Sequence, residues 1–166
     1  MNSWKTTPVF KKWRLNVENY KKRKTLKKRS DKDMCRKSNF CKGAKDIPRN
    51  LMPQIYDAKA FAKTIKKKYD VNSKFTKAPM LNFKPSQNEI NKDRVNSVIE
   101  TIKNNKMDNN PIVVSEDKFI IDGHHRWAAY KNFAPKKPVP IMIIQKPIQE
   151  ALGLAIATST NREKFD

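Results

Sequence analysis

Apolar residues along residues 46–158 recur with two alternating periods, and that alternation predicts an α/β chain. Phe61, Ile65 and Tyr69 fall at i, i+4 and i+8, one face of a helix that Asp57 can cap. Its other face carries Lys63, Lys66, Lys67 and Lys68, a basic surface or simply a solvated one. Leu81 and Phe83 alternate in a short strand ending at Pro85, and Ser86-Gln87-Asn88-Glu89 then spells a capping box. Ile90, Val95, Val98, Ile99 and Ile102 give the following helix its buried stripe. After a polar loop at 104–110, Ile112-Val113-Val114 and Phe119-Ile120-Ile121 flank a connection of hairpin length, Ser115-Glu116-Asp117-Lys118. A helix from His124 to about Phe133 comes next, then a proline-rich turn at 134–138. A nearly continuous apolar strand at 139–144 belongs inside a sheet, and Pro147 suits the first turn of a last helix through Ala157. Residues 47–55, with Pro48 and Pro53 among apolar positions, read as an extended segment packed on a surface.

Charge changes the picture at the N-terminus. The 166 residues carry a formal charge of +21, and residues 1–45 hold 16 Lys and Arg against 3 Asp and Glu. So dense a like-charge segment repels itself and suits a polyanion, so residues 1–45 are expected to form a partly flexible nucleic-acid-binding arm. Lys21, Lys22, Arg23, Lys24, Lys27, Lys28 and Arg29 are its main candidates. Trp4, Phe10, Trp13, Leu15, Val17 and Tyr20 interleave with these cations. They can stack on bases or pack on the domain, and the sequence leaves both open. Cys35 and Cys41 lie outside zinc-site spacings and read as incidental reduced thiols in a cytoplasmic, nucleic-acid-associated chain. No apolar run of membrane-spanning length occurs, so no membrane partner is expected.

Candidate chemistry concentrates at 119–130. The apolar run Phe119-Ile120-Ile121 stops at Asp122-Gly123, and a helix begins at once with His124, His125 and Arg126. A strand feeding a helix through a glycine aims unpaired N–H groups and the positive helix end at one spot, which suits phosphate. Gly123 then allows close backbone approach, and His124, His125 and Arg126 add donors and charge. Asp122 beside such a site suits a Mg²⁺ ligand or general base, or else an Asx turn closing the strand.

The stretch Gly123-His124-His125-Arg126-Trp127-Ala128-Ala129 resembles the Gly-Glu-Arg-Arg-aromatic-x-Ala box of ParB proteins. From His125 through Tyr130 it is closer still to the sulfiredoxin signature Gly-Cys-His-Arg-Tyr-Ala-Ala-Tyr. The similarity extends over residues 78–145. It includes Arg94-Val95-Asn96-Ser97-Val98-Ile99-Glu100-Thr101-Ile102, the strand Pro111-Ile112-Val113-Val114 and the strand from Val139-Pro140 onward. The resemblance implies a ParB/sulfiredoxin-like fold, with nucleotide phosphates near His125 and Arg126 and a nucleotide-contacting cation at Arg94. Glu89 falls where free-serine kinases of this fold place a catalytic acid. His124 stands at the position of the sulfiredoxin cysteine, so sulfinic-acid repair is excluded. The later Glu-Asn-x-Gln-Arg box of ParB nucleotidases has no counterpart here, which disfavours a partitioning clamp driven by cytidine triphosphate.

The expected architecture is α/β (α+β): a small mixed β-sheet with helices over residues 46–166, with its motif core at 78–145, preceded by the basic arm. The expected function is ATP- or other nucleoside-triphosphate- and Mg²⁺-dependent phosphoryl transfer on or near nucleic acid, DNA ahead of RNA. Asp122, His124 and Glu89 are the catalytic candidates, Asp122 the metal ligand, and Gly123, His124, His125, Arg126 and Arg94 the phosphate-binding set. The alternatives are a non-enzymatic ParB-like DNA-binding module and a ParB-like nuclease.

Overall fold

The computed structural model describes residues 3–23, 31–35, 39–45 and 47–158. Five helices, α1 (Pro8–Arg23), α2 (Ala58–Tyr69), α3 (Lys92–Lys103), α4 (His124–Phe133) and α5 (Ile148–Thr158), enclose a five-stranded mixed sheet. Its strands are β1 (Ser73–Pro79), β2 (Lys84–Pro85), β3 (Ile112–Ser115), β4 (Phe119–Asp122) and β5 (Pro138–Ile144), in the order β1-β5-β3-β4-β2. β1 and β5 run antiparallel, β5 and β3 parallel, β3 and β4 antiparallel, and β4 and β2 parallel.

Period-two alternation divides the core into two layers. Val113, Ile121, Met142 and Ile144 face the buried residues of α1, α2 and α5, while Ile112, Val114, Ile120 and Ile141 face α3 and α4. Apolar side chains on both faces explain why β3, β4 and β5 read as unbroken apolar runs. The α/β class and the mixed sheet with helices therefore hold.

Several local expectations do not. The strand β1 reads Ser-Lys-Phe-Thr-Lys-Ala-Pro and carries no apolar stripe, because it is an edge strand exposed along most of its length. It is held by a seven-residue register with β5. The expected strand at Leu81 and Phe83 is a single 3-10 turn, Met80–Asn82, followed by the two-residue β2. The capping box is not made: α3 starts at Lys92, with Asn91 Oδ1 accepting from the Arg94 amide at 3.1 Å. Ser86 is instead fully buried.

The arm is also more structured than its charge suggests. Residues 8–23 form α1, whose Val9, Trp13 and Val17 are buried in the layer that holds α5. Trp13 Nε1 donates to the Leu51 carbonyl at 2.6 Å, and the Tyr20 hydroxyl accepts from the Asn88 amide at 2.5 Å. The choice left open for these side chains is thus decided for Trp13 and Val17, which pack on the domain. Leu15 stays exposed. Further along the arm, the described residues 39–41 form a 3-10 turn that packs on the domain. Cys35 and Cys41 form a disulfide rather than free thiols, and Phe40 stacks on Trp127 with centroids 5.3 Å apart. Among the described residues no helix is long and apolar enough to cross a membrane.

Candidate phosphate-binding cleft

Gly123 sits between β4 and α4 with φ +105° and ψ +29°, a left-handed conformation that favours glycine. A Cβ there would lie 3.1 Å from Arg126 Nη2 and 3.2 Å from Ile112 Cγ1, so a side chain would be crowded as well as strained in torsion. Lacking a side chain, Gly123 does not cap the first-turn amides of α4, and their N–H groups point beyond the helix start. A cleft of about 370 Å³ opens at this point. Its lining combines Gly123, His124, His125 and Arg126 with Asp122, Arg94 from α3, and Arg49, Asn50 and Gln54 from the segment before α2.

Arg126, Arg94 and Arg49 come from three separate stretches of chain, and the cleft gathers them around one helix terminus. Arg126 Nη1 donates to the Asn110 carbonyl at 2.5 Å and Nη2 to the Pro111 carbonyl at 3.5 Å, two bonds that orient a guanidinium with five N–H donors. Burial and then the neighbouring Arg94 pull the Arg49 guanidinium below its ordinary range. Asp122 is the one carboxylate in the lining. Its Oδ2 accepts from the Ile55 amide at 2.9 Å. Burial pushes its carboxyl above the usual range, against the opposing pull of the Ile55 N–H, Arg126 and the Gly123 N–H.

The histidines hold the walls in place. His124 is 4% exposed, and its Nε2 lies 3.1 Å from both the Ser86 and the Gln87 amide nitrogens. A ring nitrogen accepting two backbone N–H groups is unprotonated, so the neutral ring carries its hydrogen on Nδ1. Burial and then His125 lower its pKa to about 3. His125 Nε2 likewise accepts from the Asn91 amide at 3.2 Å, and burial followed by Arg49 and Arg94 lowers its pKa to about 4. His124, expected to add a donor at the phosphate site, thus uses Nε2 to clamp Ser86 and Gln87 and keeps its Nδ1–H as its one donor. Glu89, expected as a catalytic acid, does not line the cleft: its Oε1 accepts from the Arg49 amide at 3.1 Å and holds that segment.

Asp122, Gly123, His124, His125, Arg126 and Arg94 do converge on the cleft. Lys21, Lys22 and Arg23 lie exposed at the end of α1, away from this cleft, and Lys24, Lys27, Lys28 and Arg29 lie outside the described residues. Arg49 was missed. Its signal was an arginine just after Pro48 in an otherwise apolar extended segment, a cation whose neighbours are drawn inward. Among the described residues no group of three or more His, Cys, Asp or Glu side chains forms a metal cluster.

The depressed histidines make acid stability a direct probe of this clamp. Between the unfolded-state value near 6.5 and the folded values near 3 and 4, the unfolded chain binds protons that the native chain refuses. Stability therefore falls as pH drops through that window, by up to about 1.4 kcal/mol per pH unit for each proton. Asp122, raised in the native state, acts in the opposite sense as pH rises above 3.8, but it is one group against two. Urea unfolding should show a lower midpoint at pH 4.5 than at 6.5, and the difference should shrink in the His124→Gln/His125→Gln double variant. Equal midpoints at the two pH values in the wild-type protein would mean that the rings are not held neutral.

A mixed sheet sandwiched by helices, with an uncapped helix start at a glycine opening onto an arginine-lined cleft, is an α/β domain of ParB/sulfiredoxin-like type. The chain belongs to the ParB N-terminal domain family, whose model matches residues 64–161, more than half of its length. No curated protein and no solved structure matches it.

Proposed function

We propose that the cleft binds the phosphates of a nucleoside triphosphate, ATP with Mg²⁺ in the first instance. On this reading the protein uses that nucleotide for phosphoryl transfer on or near nucleic acid. The observation that carries the reading is the convergence of Arg49, Arg94 and Arg126 on the uncapped start of α4. Three guanidinium groups repel one another in an empty cleft, and a polyphosphate turns that repulsion into attraction while meeting the helix amides. Asp122 supplies at most one protein ligand to Mg²⁺, which suits an ion held mainly by phosphate oxygens and water. Phosphoryl transfer asks for little beyond positioning and charge neutralisation, so Asp122 is the one residue left to orient or deprotonate an acceptor.

Membership of the ParB N-terminal domain family supports a nucleic-acid or nucleotide partner. A non-catalytic module that grips backbone phosphate is the second reading. It is favoured by the commitment of His124 and Glu89, and of Asp122 through the Ile55 amide, to backbone hydrogen bonds.

Calorimetric titration with ATP, CTP and short duplex DNA, with and without Mg²⁺, distinguishes the two. Arg126→Ala is expected to weaken triphosphate binding by about thirty-fold, the loss of a charge-assisted contact worth ~2 kcal/mol. Asp122→Asn is expected to abolish phosphate release or transfer while metal-free nucleotide binding is kept. No binding of any nucleoside triphosphate at millimolar concentration, with duplex DNA bound, would replace the first reading by the second.

A further inference from the structure

A second groove of about 470 Å³ lies between α1 and α5, with a lining distinct from that of the motif cleft. Its walls are aromatic, from Trp4, Phe10 and Trp13, and its rim is cationic, from Lys5, Arg14, Lys21 and Lys45. Glu150 is the one carboxylate in the lining. Trp4 is seated over Gly153, where a Cβ would come within 2.1 Å of the indole, and it meets Phe10 edge-on with centroids 5.0 Å apart. Trp13 is buried and fixed to Leu51, whereas Trp4 and Phe10 stay partly exposed. The outer face of α1 continues the positive surface through Lys11, Lys12, Lys22 and Arg23, and Glu18 is the only acid in that helix.

An apolar peptide would gain nothing from four cations, and an acidic peptide would gain little from an aromatic wall. A duplex offers phosphates but keeps its bases stacked inside. A single strand presents both bases and phosphates, and aromatic stacking combined with a cationic track is how single strands are bound without sequence preference. We infer that this groove binds single-stranded nucleic acid, with a base lodged against Trp4 and Phe10 and phosphates following Lys5, Arg14 and Lys21. The site is independent of the nucleotide reading, although the segment at 47–53 contributes Ile47 to this groove and Arg49 to the motif cleft.

Trp13 and Trp127 are buried, so Trp4 is the responsive fluorophore in the full chain. Titration with oligo(dT) or oligo(U) is expected to quench it saturably, with a same-length duplex and polyglutamate binding at least about ten-fold more weakly. Charge reversal in K5E/R14E/K21E should weaken oligo(dT) binding and reduce the slope of log K against log salt by about 2, at roughly 0.7 per lost phosphate contact. Phe10→Ala should cost about ten-fold, within the range of one lost stacking contact. Both variants should titrate ATP like the wild-type protein, which separates failure here from failure at the motif cleft. Duplex or polyglutamate binding as tight as oligo(dT) would overturn the assignment. So would wild-type oligo(dT) affinity in the folded K5E/R14E/K21E variant, whose three positions are exposed and independent of any packing loss at Phe10.

Discussion

A chain lacking residues 1–23 is expected to lose its cooperative fold, not merely its affinity for a polyanion. Val9, Trp13 and Val17 are each less than a tenth exposed and share one apolar layer with α5, Met142 and Ile144. Burying such side chains contributes about 1.5–3 kcal/mol each, and the Trp13–Leu51 hydrogen bond adds to that. The sum is comparable with the ~5–15 kcal/mol that stabilises an ordinary domain. Truncation also bares α5, in which eight of eleven residues are buried, so the shortened chain should aggregate. Thermal unfolding followed by near-ultraviolet circular dichroism checks this. A sharp transition at the wild-type temperature in the truncated chain would show that α1 is a separable arm after all.

Gly123→Val should weaken triphosphate binding at least ~ten-fold. The left-handed torsion at this position is unfavourable for any side chain and most of all for a branched one. The added carbon would also press on Ile112, which is fully buried in the sheet and has no room to yield. Relief requires the first turn of α4 to move, taking its amides and Arg126 out of register with Arg94 and Arg49. Strain of about 1–3 kcal/mol in stability is expected, together with at least a ten-fold loss in affinity, the equivalent of about 1.4 kcal/mol. Calorimetry with ATP on the folded variant is the measurement. Binding within two-fold of wild type would show that the helix start does not hold the ligand.

Some of this geometry was legible in the sequence. Asp122-Gly123 at the end of an apolar run marked the strand-to-helix junction, because glycine takes up most readily the left-handed turn that brings amides to one point. Arg94 was legible by its place in the similar segment. Glu89 and Ser86 were misread, since Ser-x-x-Glu is a helix start only when both side chains are free to serve the local backbone. In the folded chain Ser86 is drawn to His124 and Ile120, and Glu89 to Arg49, all contacts more than thirty residues away.

The order and type of the buried elements were determined by the sequence itself: β3, β4 and β5 carry apolar runs and α2 and α3 apolar stripes strong enough to name them, and the Gly123 junction, which starts α4, follows from local torsional preference. What only the tertiary structure decided were features that depend on distant partners. β1 exists because β5 offers it a ladder, not because its own residues prefer a strand. Basic α1 packs on the domain because three of its apolar side chains find α5, although its net charge predicts repulsion. The two histidines, donors by composition, became acceptors because burial removes the water that would stabilise their protonated form and supplies backbone N–H groups in its place. Arg49 entered the cleft because a segment over forty residues upstream of Arg94 folds across the helix start, and spacing along the chain carries no record of such a meeting.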